Sequence, residues 1–425
     1  MKYLYAGFVK KGFGDLVDTY DTMCPLVYNG IATDPSGGVR PCCIFNQKYN
    51  FRGDVKDYRS SKIYKEIESA FLAGGYHPGC HHCERLDKNG ASSKRTREIS
   101  NYLGKYKKQE VDWDHLKTVG YDLIDLRLSN KCNLSCITCN PKSSSMIYDE
   151  TKKNKDSTMF HYSNIYDLAG KIKNIDLTNP YDDANIDQLL DCINETSRLY
   201  FTGGEPSIVK GVFRILRHCI DTGLNKHVRV EFNSNFQTEN PKFIDLLSYF
   251  PKGLMMPSID VVGPRAHYVR YPSNWIRIDK NMKKFKEACP DWRFHLAPTV
   301  SILTLFYLDE VADYCETNGF ELNLSNQLWG PTYFQTSIIP DKWKTIALEK
   351  LQTKKNYKCF SKFGPISLGD FDKMYETIRG FIYSEDSDLE RLQACRTNLN
   401  RIDAIRGVSY KDNLPILKEI FKECL

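Results

Sequence analysis

Residues 126–140 read LRLSNKCNLSCITCN. An apolar run from Tyr121 to Leu128 passes into a polar loop in which Cys132, Cys136 and Cys139 follow one another at spacings of four and three. The run predicts a strand, and the loop at its end carries three thiolates toward one point. An iron–sulfur cube normally takes four cysteines, so a loop that supplies only three leaves one iron open to a small molecule. A structural zinc ion would be closed by a fourth donor, usually in paired C-x-x-C or histidine halves. This loop contains no histidine, and the nearest, His115, lies before the strand. The chain holds fifteen cysteines, an odd number, and its start MKYLYAGFVKKGFGD has no long apolar region. Reduced thiols and a cytoplasmic protein are therefore expected rather than disulfides and secretion.

Outward from this loop, short apolar runs alternate with helical patterns. The runs predict strands over Leu123–Leu128, Arg198–Thr202, Val228–Asn233, Leu254–Ile259, Arg293–Ser301 and Phe320–Leu324. Between them, apolar residues at helical spacing predict helices over Gly211–Asp221, Pro241–Phe250, Asp279–Ala288 and Leu308–Thr317. Such alternation implies an α/β fold with a parallel sheet and right-handed crossovers. Six units fall short of the eight that close a full barrel. The polar stretch Thr151–Thr178 is longer than a crossover needs and reads as an insertion. Beyond Pro340 the pattern is helical throughout, with Asp403 and Arg406 one turn apart before a stop at Gly407.

In parallel α/β folds ligands gather at the carboxyl ends of strands. The polar motifs fall there. Thr202-Gly203-Gly204-Glu205-Pro206 follows the second strand, and Asn233-Ser234-Asn235 ends the third. Ser258 and Asp260 end the fourth, with Arg270 downstream. Glycines allow close approach of backbone to a ligand, amides and hydroxyls suit ribose hydroxyls, and arginine suits a carboxylate.

The spacing C-x-x-x-C-x-x-C after a first strand, with these motifs in order behind it, resembles the radical S-adenosylmethionine enzymes over about Asp122 to Gln327. It departs from their signature at Thr138. The resemblance implies a partial (β/α)6 barrel with a [4Fe-4S] cluster on Cys132, Cys136 and Cys139. It also implies S-adenosylmethionine on the open iron, held by Gly203 and Gly204 with Glu205 bracing the loop, by Asn233, Ser234 and Asn235, and by Ser258, Asp260 and Arg270. Reductive cleavage of that cofactor would yield a 5'-deoxyadenosyl radical, which takes hydrogen from a peptide or other polar substrate. An electron donor such as flavodoxin or ferredoxin is implied as a partner.

A second cysteine set precedes the barrel. Cys24, Cys42, Cys80 and Cys83 could close a complete site, with Asp34-Pro35-Ser36-Gly37-Gly38 as a turn between two short strands. A zinc knuckle with His77, His81 and His82 nearby is one reading. The other is an auxiliary [4Fe-4S] cluster, because the pattern resembles the twitch module related to SPASM domains, here placed before the barrel. Cys43 adjoins Cys42 and receives no ligand role. The expected division is an auxiliary module over 1–119, a core over 120–330 and a helical extension over 331–425.

The formal charge is +6, concentrated between Glu84 and Lys108. Arg85, Lys88, Lys94, Arg95, Arg97, Lys105, Lys107 and Lys108 face three acids there, which reads as a solvated helix face. The rival class is a non-catalytic, metal-stabilised module that uses this stretch to bind nucleic acid or an acidic partner.

Overall fold

The computed structural model describes residues 22–88, 93–108, 110–154, 181, 183–360 and 371–425. The insertion expected over Thr151–Thr178 lies outside them from residue 155 onward. The fold is mixed α/β with eight strands in a largely parallel sheet and many helices. In chain order the strands of the described residues are β1 (Gly30–Thr33), β2 (Val39–Arg40), β3 (Leu123–Leu126), β4 (Ser135–Cys136) and β5 (Arg198–Phe201). They continue with β6 (Arg229–Ser234), β7 (Gly253–Pro257), β8 (Arg270–Tyr271), β9 (Arg293–Leu296) and β10 (Glu321–Leu322). All six expected strands are present, five of them shorter than expected and β6 shifted by one residue, and helices occupy the expected crossovers at Lys210–Asp221, Pro241–Ser248, Trp275–Ala288 and Leu308–Asn318.

The described residues fall into two compact units. One takes Met1–Ser129, Asn179–Thr202 and Lys210–Val230, and the other takes Asn130–Thr178, Gly203–Val209 and Glu231–Leu425. In the first, the strand order is β2-β1-β3-β5. β1 lies parallel to β3, with Ile31 opposite Ile124, and β3 lies parallel to β5, with Ile124 opposite Leu199. The two short strands expected on either side of the turn between Asp34 and Gly38 are β1 and β2, paired antiparallel, and they extend the sheet beyond the six expected strands. Both β1 and β3 are buried at every position, as befits strands covered on both faces. The turn expected between Asp34 and Gly38 is there. Gly37 has φ 78°, the Ser36 amide donates to Asp34 Oδ1 at 2.9 Å, and the Gly37 amide donates to the Asp34 carbonyl at 2.8 Å. Tyr181 secures it, its hydroxyl donating to the Asp34 carbonyl at 2.9 Å and accepting from the Asp34 amide at 3.1 Å.

In the second unit β7 pairs with β9 and β9 with β10, both in parallel, while β4 and β8 form a short antiparallel ribbon with Cys136 opposite Arg270. Helices Asp341–Gln352, Phe371–Ile382, Leu389–Arg406 and Pro415–Cys424 make the carboxyl-terminal part. The longest stops at Gly407, φ 63°, as its position predicts. Of the singly placed cysteines, Cys219, Cys289, Cys315, Cys359 and Cys395 are buried, as structural thiols. No helix of the described residues is long and apolar enough to cross a membrane.

The basic stretch is not one solvated face. Helix Lys94–Tyr106 begins with a reciprocal cap between Ser93 and Thr96, and its first turn is turned inward. Lys94 pairs with Glu98 at 2.9 Å, Arg198 reaches the same carboxylate at 2.5 Å, and Arg95 pairs with Asp87 at 2.7 Å. Glu98 and Arg95 are buried, whereas Lys88 remains exposed on its exposed-surface pair with Glu84. Burial alone would raise the Glu98 carboxyl, but Lys94 and Arg198 outweigh it and hold the group well below its usual range. A depressed carboxylate contributes stability above its unfolded value near pH 4, and that contribution fades as pH falls toward the folded value. Glu98→Gln is therefore expected to cost about 3–5 kcal/mol at pH 7, as breaking a buried pair does. Chemical denaturation should show the gap from wild type closing below about pH 4; a gap independent of pH would contradict the assignment.

Candidate metal and cofactor site

The three-cysteine loop is tied to its own flanks before any ligand is considered. The Asn130 side chain donates to the Pro141 carbonyl at 2.9 Å, and the Ser145 amide donates to the Asn130 carbonyl at 2.7 Å. Ser145 Oγ accepts from the Cys132 amide at 3.1 Å and donates to the Cys132 carbonyl at 3.2 Å. Ser144 caps helix Ser145–Lys153 and donates to the Leu134 carbonyl at 2.6 Å. These serines and Asn130 were not singled out from sequence, although the run Ser143-Ser144-Ser145 ahead of a helix is an N-cap signal.

The glycine motif packs directly on this loop. Gly203 and Gly204 have φ 78° and 58°, a region costly for any residue with a side chain. A Cβ at Gly204 would overlap the Lys131 carbonyl oxygen. The Glu205 amide donates to that same oxygen at 2.8 Å, and the Gly204 amide reaches the Ser143 carbonyl at 3.2 Å. The conformation and the closeness both require glycine at position 204.

Glu205 is almost completely buried, and its carboxylate collects donors from the third motif. It accepts from Ser234 Oγ at 2.8 Å, from the Asn235 amide at 2.7 Å and from the Ser207 amide at 3.2 Å. Burial raises its pKa and these donors oppose the rise. Asn235 in turn donates from Nδ2 to Asn133 Oδ1 at 2.7 Å and lies 3.9 Å from Cys132 Sγ, while its Oδ1 accepts from the Gln237 amide at 2.8 Å. Phe236 follows with φ 53°, an uncommon backbone state for a bulky residue that turns the chain away. Asn233 stands half-buried near the end of β6. The second and third motifs and the cysteine loop are thus one hydrogen-bonded unit.

The fourth motif meets the loop from the other side. Arg270 Nη1 lies 3.8 Å from Cys136 Sγ, and Nε lies 2.8 Å from Asp260 Oδ2 in an ion pair poorly aligned for a hydrogen bond. Asp260 Oδ1 accepts from the Thr299 amide at 2.8 Å. Ser258 contributes its amide to the Ser234 carbonyl at 2.7 Å. Burial would lower the Arg270 guanidinium, yet Asp260 and Cys136 raise it overall. Burial pushes the Cys139 thiol up to about 12, with Cys136 adding to it. Cys136 and Cys132 are raised first by burial too, against Arg270 in the case of Cys136. Three thiols raised in this way, Cys136 buried and Cys132 and Cys139 half-buried, need a cation to ionise, which fits an iron-sulfur donor set.

The other cysteine set also converges. Cys24, Cys42, Cys80 and Cys83 line one pocket, with Lys94 and Arg95 in its wall. Burial, then Cys83, pushes Cys24 up to about 12, and Arg95 opposes them. Cys43 does not line that pocket; Asp125, Lys94 and Arg127 act on its thiol instead. His77 is committed elsewhere, its Nδ1 accepting from the Gly79 amide at 3.0 Å and its ring stacked on Phe45. Among the described residues no three His, Cys, Asp or Glu side chains close on one point as a single metal ion requires. In a cube each thiolate binds its own iron, so the set it needs is wider.

Replacing Glu205 by Ala should orphan the buried donors of Ser234 and Asn235 and lower stability by about 3 kcal/mol, the cost of one or two unpaired groups. Iron bound through the loop should fall with it. Wild-type stability and iron content in E205A would contradict the bracing role.

No protein-family model matches the sequence, and no curated protein matches it. Solved structures similar to the chain include anSMEcpe with bound AdoMet and Cp18Cys peptide, at 15% identity and TM-score 0.38, covering 54% of this chain and 58% of that one. Streptococcus suis SuiB bound to S-adenosylmethionine is similar at 11% identity and TM-score 0.31, covering 60% and 53%. A further structure of Streptococcus suis SuiB gives 12% identity and TM-score 0.34, covering 65% and 58%. The chain spans between half and two thirds of the length of each.

Proposed function

We propose that the chain is a radical S-adenosylmethionine enzyme acting on a peptide or other polar substrate. Cys132, Cys136 and Cys139 would hold a [4Fe-4S] cluster with one open iron, and Cys24, Cys42, Cys80 and Cys83 an auxiliary [4Fe-4S] cluster. In functional terms 1–119 would form a twitch-like auxiliary module, 120–330 a partial (β/α)6 core and 331–425 a helical extension. The observation that carries this reading is the hydrogen-bonded union of the three-thiol loop with Gly203-Gly204-Glu205 and Ser234-Asn235. A purely structural metal knuckle has no need of two strand-end motifs fastened to it.

When bound, the cluster and S-adenosylmethionine supply reductive cleavage of a carbon–sulfur bond and, through it, hydrogen abstraction from substrate. The chain's own residues bind and orient. Gly203 and Gly204 bring bare backbone against the loop, where the amino group of the cofactor would lie. Glu205 acts as a brace, since its oxygens are taken up by Ser234, Asn235 and Ser207. Asn233, Ser234 and Asn235 stand at the strand end suited to the ribose, with the last two also serving the brace. Arg270, between Asp260 and Cys136, offers its guanidinium to the cofactor carboxylate, and Ser258 and Asp260 fix the backbone beside it. An external carrier such as flavodoxin or ferredoxin would deliver the electron.

Anaerobically reconstituted protein given dithionite and S-adenosylmethionine should release 5'-deoxyadenosine. Changing Cys132, Cys136 and Cys139 together to Ala should abolish that release while leaving about four irons per chain on the amino-terminal site, by the four-cysteine rule for cubes. A colourless zinc protein that forms no 5'-deoxyadenosine would end this reading in favour of a binding module. Full activity in the triple variant would contradict the division of roles.

A further inference from the structure

The carboxyl-terminal helix Leu389–Arg406 reaches the cysteine loop from far along the chain. Its last residue, Arg406, has a side chain 2% exposed and grips Glu150 bidentately, Nε to Oε1 at 2.9 Å and Nη2 to Oε2 at 3.1 Å. Glu150 belongs to helix Ser145–Lys153, the element that follows the cysteine loop and closes it through Ser144 and Ser145. The guanidinium carbon lies 5.1 Å from the ring centroid of Tyr271, and Tyr271 is paired with Ser135 in the β4–β8 ribbon that holds Cys136 opposite Arg270. One turn earlier, Asp403 Oδ1 accepts from the Tyr268 hydroxyl at 2.8 Å and Oδ2 from the Tyr410 amide at 2.8 Å. The helix end is thereby fixed on both sides.

One group is left over. Nη1 of Arg406 is buried with no hydrogen-bond partner among the described residues. An unpaired buried guanidinium nitrogen is costly, and the bidentate grip on Glu150 leaves it turned away from that carboxylate. The positive charge of Arg406 acts on the Cys136 thiol, alongside that of Arg270. A structural clamp needs only the two nitrogens already used.

We propose that Arg406 is a positioning residue of the three-cysteine site, holding a second guanidinium at the Cys136 side of the loop to favour the more negative, reduced state of the cluster bound there. This rests on the cluster assignment above. Net charge and hydrogen bonds around the sulfurs set the potentials of such clusters. A cation within electrostatic reach lowers the free energy of added negative charge, so removing it makes reduction harder. Arg406 supplies no atom to the chemistry and takes up no electron; the electron comes from dithionite in the test below.

The test is a mediated redox titration of the reconstituted full-length protein with dithionite as reductant, followed by electron paramagnetic resonance. The relevant signal is the one missing from the C132A/C136A/C139A variant. R406Q should shift its midpoint to more negative potential, with the reduced-to-oxidised ratio at a fixed potential falling about tenfold, which is about 59 mV for one electron. R406K, which keeps the charge, should restore most of the shift. E150Q breaks the clamp, keeps the guanidinium and removes the negative charge beside it, so it should lower thermal stability and move the midpoint to less negative potential, opposite to R406Q. Should R406Q fail to fold, the E150Q/R406Q double variant removes both charges without stranding the carboxylate, and its midpoint is compared with that of E150Q. An unmoved midpoint in the charge-removed variant, or R406K behaving as R406Q does, overturns the role of Arg406 alone. If the triple cysteine variant keeps every cluster signal of the wild type, the cluster assignment itself fails instead.

Discussion

A single buried carboxylate, Glu205, organises the candidate site. Taking a carboxylate out of water is costly unless donors surround it, and here the donors come from Ser207, Ser234 and Asn235. Because the Glu205 amide is bound at the same time to the Lys131 carbonyl of the cysteine loop, one residue joins three sequence motifs. Its main chain holds the loop and its side chain holds the end of β6. The glycines before it are the counterpart of this arrangement: only a residue without Cβ lets that turn come so near Lys131. Asn235 completes the circuit by reaching Asn133 and Cys132.

Charge is distributed around both thiol sets in a matching way. Burial raises Cys132, Cys136 and Cys139 in one set and Cys24, Cys42 and Cys80 in the other, and cations oppose it: Arg270 and Arg406 at Cys136, and Arg95 at Cys24. Three or four thiolates gathered at one place accumulate negative charge that a low-dielectric interior stabilises poorly. Lys94 and Arg95 are turned inward and line the cysteine pocket, where their charge would offset that of thiolates on the proposed auxiliary cluster. Their own partners, Glu98 and Asp87, keep the two cations fixed. Salt sensitivity of substrate binding, natural for an exposed patch, does not follow for these two residues.

Much of this was legible in the sequence because the signals are local. The periodicity of short apolar runs placed six strands within a few residues of their true ends, and cysteine and glycine spacing marked the loops that meet. What escaped depends on distant partners. β1, GIAT, reads in sequence only as one arm of a hairpin, and its pairing with β3, which makes it part of the parallel sheet, leaves no trace in four residues buried at every position. The clamp between Arg406 and Glu150 spans 256 positions, and in sequence Arg406 reads as an ordinary cation at a helix end. Lys94 and Arg95 misled because a run of charges usually stays in water, and burial here depends on Glu98, Arg198 and Asp87. The bracing by Glu205 was visible as a motif, whereas its specific acceptance from Ser234 and Asn235 needed the fold.

The central claim is that the loop of Cys132, Cys136 and Cys139 holds a cluster with one iron left open to S-adenosylmethionine. Mössbauer spectroscopy of protein reconstituted with iron-57 addresses that iron directly. Adding S-adenosylmethionine should change the signal of one of the four irons expected for a cube, and the change should vanish in the C132A/C136A/C139A variant. A spectrum untouched by S-adenosylmethionine, from a protein whose loop does carry iron, would contradict the account.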